Sequence, residues 1–223
     1  MSLPVMTLPL SLDGVDRKQM FRYMGMAAHT PDEALTALAD SCLPSFLAAA
    51  RPRACYVETD VTIEGDAVTL GPLTVQSRDL ARNLRDCDRA VWFAATLGAD
   101  VDRLRRTASV TSPSKALVLD AMGSAGIEAV CDTLCEQIAA MHPERKLRPR
   151  FSPGYGDLPL DFQRPFLAML DAQRKVGITL LDSLLMTPQK SVSALVGLGP
   201  AGCDHGRGGC DDCGKTDCEF RLQ

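Results

Sequence analysis

The chain has 223 residues, 46% of them hydrophobic and 23% charged, enough apolar material to bury a real core beneath an ordinarily charged surface. A net charge of -4 and a pI near 5.4 leave no basic field for coating nucleic acid or adhering to acidic lipid. Charged residues interrupt every apolar run before the roughly 18 residues a membrane span needs, and "MSLPVMTLPLSLDGVDRK" has no basic segment ahead of its apolar part, so no secretory leader is predicted.

Residues 16–26, "DRKQMFRYMGM", carry a short amphipathic stripe that includes Met20 and Tyr23, with Asp16 placed to cap a helix. "TPDEALTALADSCLPSFLAAAR" follows, with Thr30 as the expected N-cap, Pro31 at the first helical position and Pro44 expected to kink or end the helix. "CYVETDVTIEGDAVTLGPLTVQS" alternates apolar and polar residues on either side of Glu64, Gly65 and Asp66, which predicts a β-hairpin. Ser77 then caps "RDLARNL", "RAVWFAATLG" is an apolar strand, and "DVDRLRRTA" is helical.

From Ser114 to Met141 runs the longest periodic segment, with apolar Leu117, Ala121, Met122, Ile127, Val130 and Leu134. It predicts a long, largely buried helix, loosened around Gly123 and Gly126. "LDFQRPFLAMLDAQRKVG" predicts one helix closed by Gly177, and "SVSALVGLG" a strand. A hairpin, isolated strands and long helices together predict an α+β fold, a mostly antiparallel twisted sheet with packed helices.

Between the long helix and the next, "RFSPGYGDLPL" at 150–160 has no period. Pro153 and Pro159 restrict its backbone, while Gly154 and Gly156 permit turns or the close approach of a ligand. A loop stiffened this way holds the Arg150 fork and exposed backbone groups toward a small molecule at low entropic cost, and an arginine fork suits a carboxylate. Alternatively the loop is only a connection, with Arg150 paired to a surface acid and Tyr155 packed on the core.

Nine cysteines without a leader argue against a disulfide scaffold and for a reducing cytoplasm. Cys203, Cys210, Cys213 and Cys218 crowd the last 21 residues as C-x6-C-x2-C-x4-C, a spacing compatible with tetrahedral zinc or an iron–sulfur cluster. The chain is therefore divided into a body, 1–200, and a cysteine-rich metal-binding tail, 201–223. Cys131 and Cys135, one helical turn apart, are expected to be small core residues. His29, His142 and His205 have no catalytic neighbour in the sequence.

"RFSPGYGDLPL" resembles the Arg-x-x-x-Gly-Tyr loop of the activation domain of cobalamin-dependent methionine synthase, and of the small free-standing proteins related to it. The likeness extends to "ATLG" at 95–98, "LDAMGSAGIEAVCD" at 119–132 and "VGITLLDSLLMTPQKSVSALVGLG" at 176–199, covering roughly residues 15 to 200. It implies an activation-domain-like fold that binds S-adenosylmethionine and takes part in reductive remethylation of cobalamin. By that resemblance Arg150 binds the methionine carboxylate, the backbone at Ser152 and Gly154 and the phenol of Tyr155 position the ligand, and Glu128 balances its ammonium or sulfonium charge.

Other carry-overs are looser: Glu144 precedes Arg150 at the spacing of another family acid, and either Asp13 or Asp16 corresponds to an N-terminal aspartate that meets the substrate amine. Asp157 is either part of the site or a turn residue, and Lys190, Ser191 and Ser193 either line the site or finish a strand edge. The chain lacks the family's Asp-x-His-x-x-Gly cobalamin motif, since "DHGRGG" at 204–209 has no spacer between Asp204 and His205. The resemblance then implies that the corrinoid arrives on a partner such as methionine synthase, and that this chain is a methyltransferase component acting in reactivation. Because reactivation needs a low-potential electron, it also favours an iron–sulfur cluster in the tail. The competing reading is a non-catalytic metal-bearing module that docks on a corrinoid protein. An ordinary S-adenosylmethionine methyltransferase is disfavoured, because no Gly-rich loop follows a first strand with an acid about 20 residues on.

Overall fold

The computed structural model describes residues 4–27 and 29–201. Met6–Pro9 forms strand β1, which no period in the sequence announces. The Asp16 carboxylate accepts the Gln19 amide at 2.9 Å and opens helix α1, Arg17–Tyr23. Helix α2, Glu33–Ala49, is capped by Asp32, whose Oδ1 accepts the Leu35 amide at 2.7 Å, and not by the expected Thr30. Nor does Pro44 end it. Pro44 and Asp40 are both exposed, so the carbonyl that loses its amide partner is open to water, while buried Cys42 and Phe46 hold the helix to the core on either side of the proline.

The expected hairpin is a three-stranded meander. Strand β2, Arg53–Glu64, turns at Gly65 and Asp66 into β3, Ala67–Leu70. A second reversal at Gly71, with φ +57°, and Pro72 sets Leu70 opposite Leu73 and starts β4, Leu73–Gln76. Ser77 caps helix α3, Arg78–Asn83, as the sequence indicates, and β5, Arg89–Thr96, pairs with β2 from Arg53 opposite Thr96 to Asp60 opposite Arg89. Helices α4, Ala99–Thr111, and α5, Pro113–Met141, follow, then β6, Arg145–Leu147.

Helix α5 is continuous through Gly123 and Gly126, against the expectation of loosening there. The two glycines are points of close packing: a Cβ at Gly123 would lie 2.8 Å from the Lys190 stem, and one at Gly126 would crowd Leu12, Phe46 and Leu97 at 3.2–3.3 Å. Leu117, expected in the core, is 55% exposed near the start of the helix.

The segment expected to be one helix is three pieces: a 3-10 turn at Leu160–Phe162, α6, Gln163–Met169, and α7, Ala172–Val176. The chain breaks at Asp171, whose φ is +48°, and this reversal keeps Phe166, Leu170, Ala172 and Val176 all in the same core. Gly177 closes α7 in the left-handed conformation. Strands β7, Thr179–Leu180, and β8, Met186–Thr187, form a small ribbon before β9, Ser191–Pro200.

The main sheet runs β4-β3-β2-β5-β9-β6, with β1 on the first half of β2, and all its pairings are antiparallel. Its two central strands, β5 and β9, are buried along nearly their whole length. One face packs against α1, α2, α4 and α5 through Phe46, Phe93, Val130 and Leu134. The other carries α3, the 3-10 turn, α6 and α7 around Trp92, whose ring stands 4.8 Å from that of Phe166 and whose Nε1–H donates to Thr59 Oγ1 at 2.9 Å. These two cores, with a sheet between helical layers, are the observed α+β architecture.

Candidate functional site

The unperiodic stretch after β6 is fixed to the sheet by its second residue. Phe151 and Leu195 of β9 exchange both backbone hydrogen bonds at 2.9 Å, so the Arg150 backbone is held beside the sheet's edge. From there the guanidinium reaches α5: Nη2 meets Glu128 Oε2 at 2.8 Å and Nη1 meets Asp132 Oδ1 at 2.5 Å. The two carboxylates are four residues apart, hence stacked on one helix face. Burial works against the Arg150 charge, but the Asp132 hydrogen bond and the surrounding negative groups outweigh it and hold its pKa above the ordinary guanidinium value.

Past Arg150 the loop folds on itself. The Gly154 amide donates to the Leu158 carbonyl, the Tyr155 amide to that of Ser152, and the Leu158 amide to that of Tyr155, at 2.9–3.0 Å. These three amides are bonded inside the loop, which leaves the Gly154 carbonyl rather than its amide to meet a ligand. Tyr155 is 58% exposed, with its ring edge-on to Phe151 at 6.1 Å, so it does not pack into the core.

Asp157 is a turn residue with a structural task. Its carboxylate accepts from Ser77 Oγ at 2.5 Å and from the Arg78 and Asp79 amides at 3.0 and 3.1 Å, capping α3 from outside. The Ser77 bond leads the set of donors that keeps its pKa below the usual carboxylate range. Gly156, at φ +52°, lies so close that a Cβ would stand 2.4 Å from Asp79 Oδ2. At the other end of α3, Asn83 Nδ2 donates to the Pro149 carbonyl at 3.3 Å. The loop is thus clamped to α3 on both sides of Arg150.

Two further groups belong here that the sequence reading passed over. Asp132 stands in the quoted "GIEAVCD", four residues past Glu128, and that spacing alone would have identified it. Tyr23, at the end of α1, has its phenol pKa raised by burial and then by the charge of Glu128, and it also feels Tyr155 and Arg150. Helix α1 packs on α5 and carries Tyr23 to the same patch, a long-range effect with no local signal.

The other candidates have partners of their own. Glu144 is exposed and pairs with Arg145 at 4.0 Å, Asp16 is spent as the cap of α1, and the Asp13 carboxylate accepts from Ser11 Oγ at 3.4 Å. Lys190 lies along α5, with Nζ 3.0 Å from Ser124 Oγ and 3.1 Å from Asp120 Oδ1. Ser191 donates to the Pro188 carbonyl, and Ser193 is buried opposite Ala94 in the β5–β9 ladder. These three finish and anchor β9. His142 Nε2 lies 3.5 Å from Glu58 Oε2 of β2.

Cys131 is fully buried and Cys135 partly so, Cys135 Sγ lying 4.0 Å from Arg150 Nη1. Burial pushes both thiols up, which opposes metal binding as thiolates. Among the described residues no three His, Cys, Asp or Glu side chains gather as a metal site. The tail candidates Cys203, Cys210, Cys213 and Cys218, with His205, lie outside the described residues.

No family model and no curated protein matches the chain. Solved structures do: a crystal structure of the MetH reactivation domain bound to AdoHcy superposes with a TM-score of 0.71 over 91% of this chain and 81% of that one, at 18% identity. The chain has the fold of the MetH reactivation domain. This reactivation-domain fold is what the resemblance at Arg150–Tyr155 implied, and its antiparallel order is unlike the parallel, doubly wound sheet of dinucleotide-binding folds. No helix among the described residues is long and apolar enough to cross a membrane.

Proposed function

We propose that this reactivation-domain fold binds S-adenosylmethionine at Arg150, Glu128, Ser152, Gly154 and Tyr155, with Asp132 and Tyr23 completing the site, and presents it to a corrinoid carried by a partner protein. The observation that carries the reading is the charge arrangement at Arg150: one guanidinium faces two carboxylates on a loop clamped at both ends. S-adenosylmethionine has the complementary set, one carboxylate with an ammonium and a sulfonium. Its carboxylate takes the Arg150 fork, and Glu128 and Asp132, released from sole duty to the arginine, face the two cations. The fold's likeness to a domain seen with AdoHcy supports the same assignment.

The residues' work is to bind and orient. The sulfonium is already an activated leaving group, and a reduced corrinoid on the partner supplies the nucleophile when it is docked. What remains for the chain is to hold the ligand by its amino-acid end, with the exposed Tyr155 ring flanking it and the methyl group left toward the open side where a partner can approach. Proton transfer is not required, in keeping with the absence of a paired acid and base at the loop.

Calorimetric titration tests the site. Saturable S-adenosylmethionine binding is expected in the parent chain and at least tenfold weaker in Arg150→Ala, with Arg150→Lys between them, because a lysine keeps the charge but not the fork. Equal binding by all three sinks the assignment.

The role of the tail is proposed from its sequence alone: Cys203, Cys210, Cys213 and Cys218 hold an iron–sulfur cluster that relays the reducing electron. After anaerobic purification with iron and sulfide, the expected sign is a broad absorption that bleaches on reduction. A colourless chain carrying one zinc would replace this role with a structural one.

A further inference from the structure

A cavity lies between α3 and the β2–β3 turn. It has a volume of about 480 Å³ and is lined by Ile63, Gly65 and Asp66 on the hairpin side, and by Arg78, Ala81, Arg82, Arg85 and Asp86 on the other. Arg78 and Arg82 lie one turn apart on α3, and Arg85 follows in the turn beyond its end at Asn83. Three guanidinium groups border the cavity against two carboxylates, Asp66 and Asp86, so its lining carries a small positive excess in a chain whose net charge is -4.

The arginines are also underused. Arg82 pairs with Asp79 at 3.0 Å, but its side chain is 71% exposed, and such an ion pair exchanges readily with solvent and other anions. Arg78 and Arg85 have no carboxylate within ion-pair distance among the described residues, whereas Asp86, next to Arg85, lies 4.0 Å from Arg148 Nη2. Their forks therefore keep their hydrogen-bond donors for something else. A guanidinium presents five donors in a plane, matched to the oxygens of a phosphate. Asp66 on the hairpin side and Asp86 next to Arg85 disfavour a ligand that is anionic all over and suit one whose far end carries hydroxyl or amino donors.

We infer that this cavity is a binding site for a small phosphate-bearing molecule, its phosphate held by Arg78, Arg82 and Arg85 and its polar remainder facing Asp66 and Asp86. The site is independent of the Arg150 loop in its ligand, though α3 joins the two: Asp157 and Pro149 hold the same short helix whose arginines border the cavity.

The test is a titration of the full chain at low salt with ribose 5-phosphate, a phosphate monoester whose other end carries hydroxyl groups, followed by phosphorus NMR or calorimetry. Saturable binding is expected that weakens at least tenfold in the double variant Arg78→Ala/Arg85→Ala and is unchanged in Arg150→Ala. Arg78→Lys/Arg85→Lys should bind at an intermediate strength, which separates loss of the fork from loss of charge. The variants' thermal melts and their S-adenosylmethionine titrations report whether they remain folded. No saturable binding by the parent chain overturns the inference, as does binding that survives the double alanine variant or disappears in Arg150→Ala.

Discussion

Arg150 is held by two acids where a simple surface pair would have one, and the excess negative charge decides what the site prefers. Against a ligand with two cations and one carboxylate the charges close. Against one that has lost its sulfonium charge, a carboxylate is left uncompensated. One charge pair at contact distance in a solvated site amounts to about 1 kcal/mol, or about fivefold in affinity. S-adenosylmethionine is therefore expected to bind about fivefold more tightly than its demethylated product, and Glu128→Gln to bring the ratio close to one. Parallel titrations of the two ligands check this, and an unchanged ratio removes Glu128 from the role. At this scale the sequence was informative about residue type and poor about company. Arg150, Glu128 and Tyr155 stand in short stretches that carry the family resemblance, which is how the sequence singles them out. Tyr23 was not, because it meets Glu128 only through the packing of α1 on α5.

The elements explain why the loop is stiff. Its prolines and glycines suggested local rigidity, but the stiffness comes from α3, through Asp157 at one end and Asn83 at the other. Gly156 is where the two come closest, with a positive φ and no room for a Cβ beside Asp79. Gly156→Ala is expected to cost about 2 kcal/mol, a fall in Tm of roughly 4–8 °C for a chain of this size, and to weaken S-adenosylmethionine binding in step. Thermal melts and titrations of the same preparation check both, and an unshifted Tm would show that the clamp yields freely. Helix α5 serves both anchors: Asp120 and Ser124 take Lys190, and Glu128 and Asp132 take Arg150, a polar stripe at intervals of four beside the helix's buried face. That interval was present in the sequence and passes unnoticed when only apolar periodicity is followed.

At the scale of the molecule, two exposed carboxylates among the described residues are held below the ordinary carboxylate range. Asp88 is lowered chiefly by its hydrogen bond from Arg145, and Asp157 by Ser77 with the α3 amides. A depressed folded-state pKa contributes stability that is present above the unfolded value, about 3.9, and is lost as pH falls through the folded one. Stability is thus expected to be flat in these groups near neutrality and to fall in acid below about pH 4. Asp157→Asn should be less stable than the parent at pH 7, with the gap closing as the pH approaches 2. Denaturant unfolding across that range checks the sign, and a gap that widens in acid contradicts it.

What the sequence determined by itself was the set of local preferences: capped helices at 17–23 and 78–83, the long helix to Met141, the strands at 89–96 and 191–200, the α+β class, and a loop built to hold an arginine. These follow from interactions within a few residues, where period and capping decide. Only the tertiary structure settled whether Pro44 ends a helix, whether Leu117 is buried, that Met6–Pro9 pairs with β2, and which acids Arg150 meets. Each of those depends on groups far apart in the chain, and the free energy of packing them together exceeds the local preference that the sequence displays.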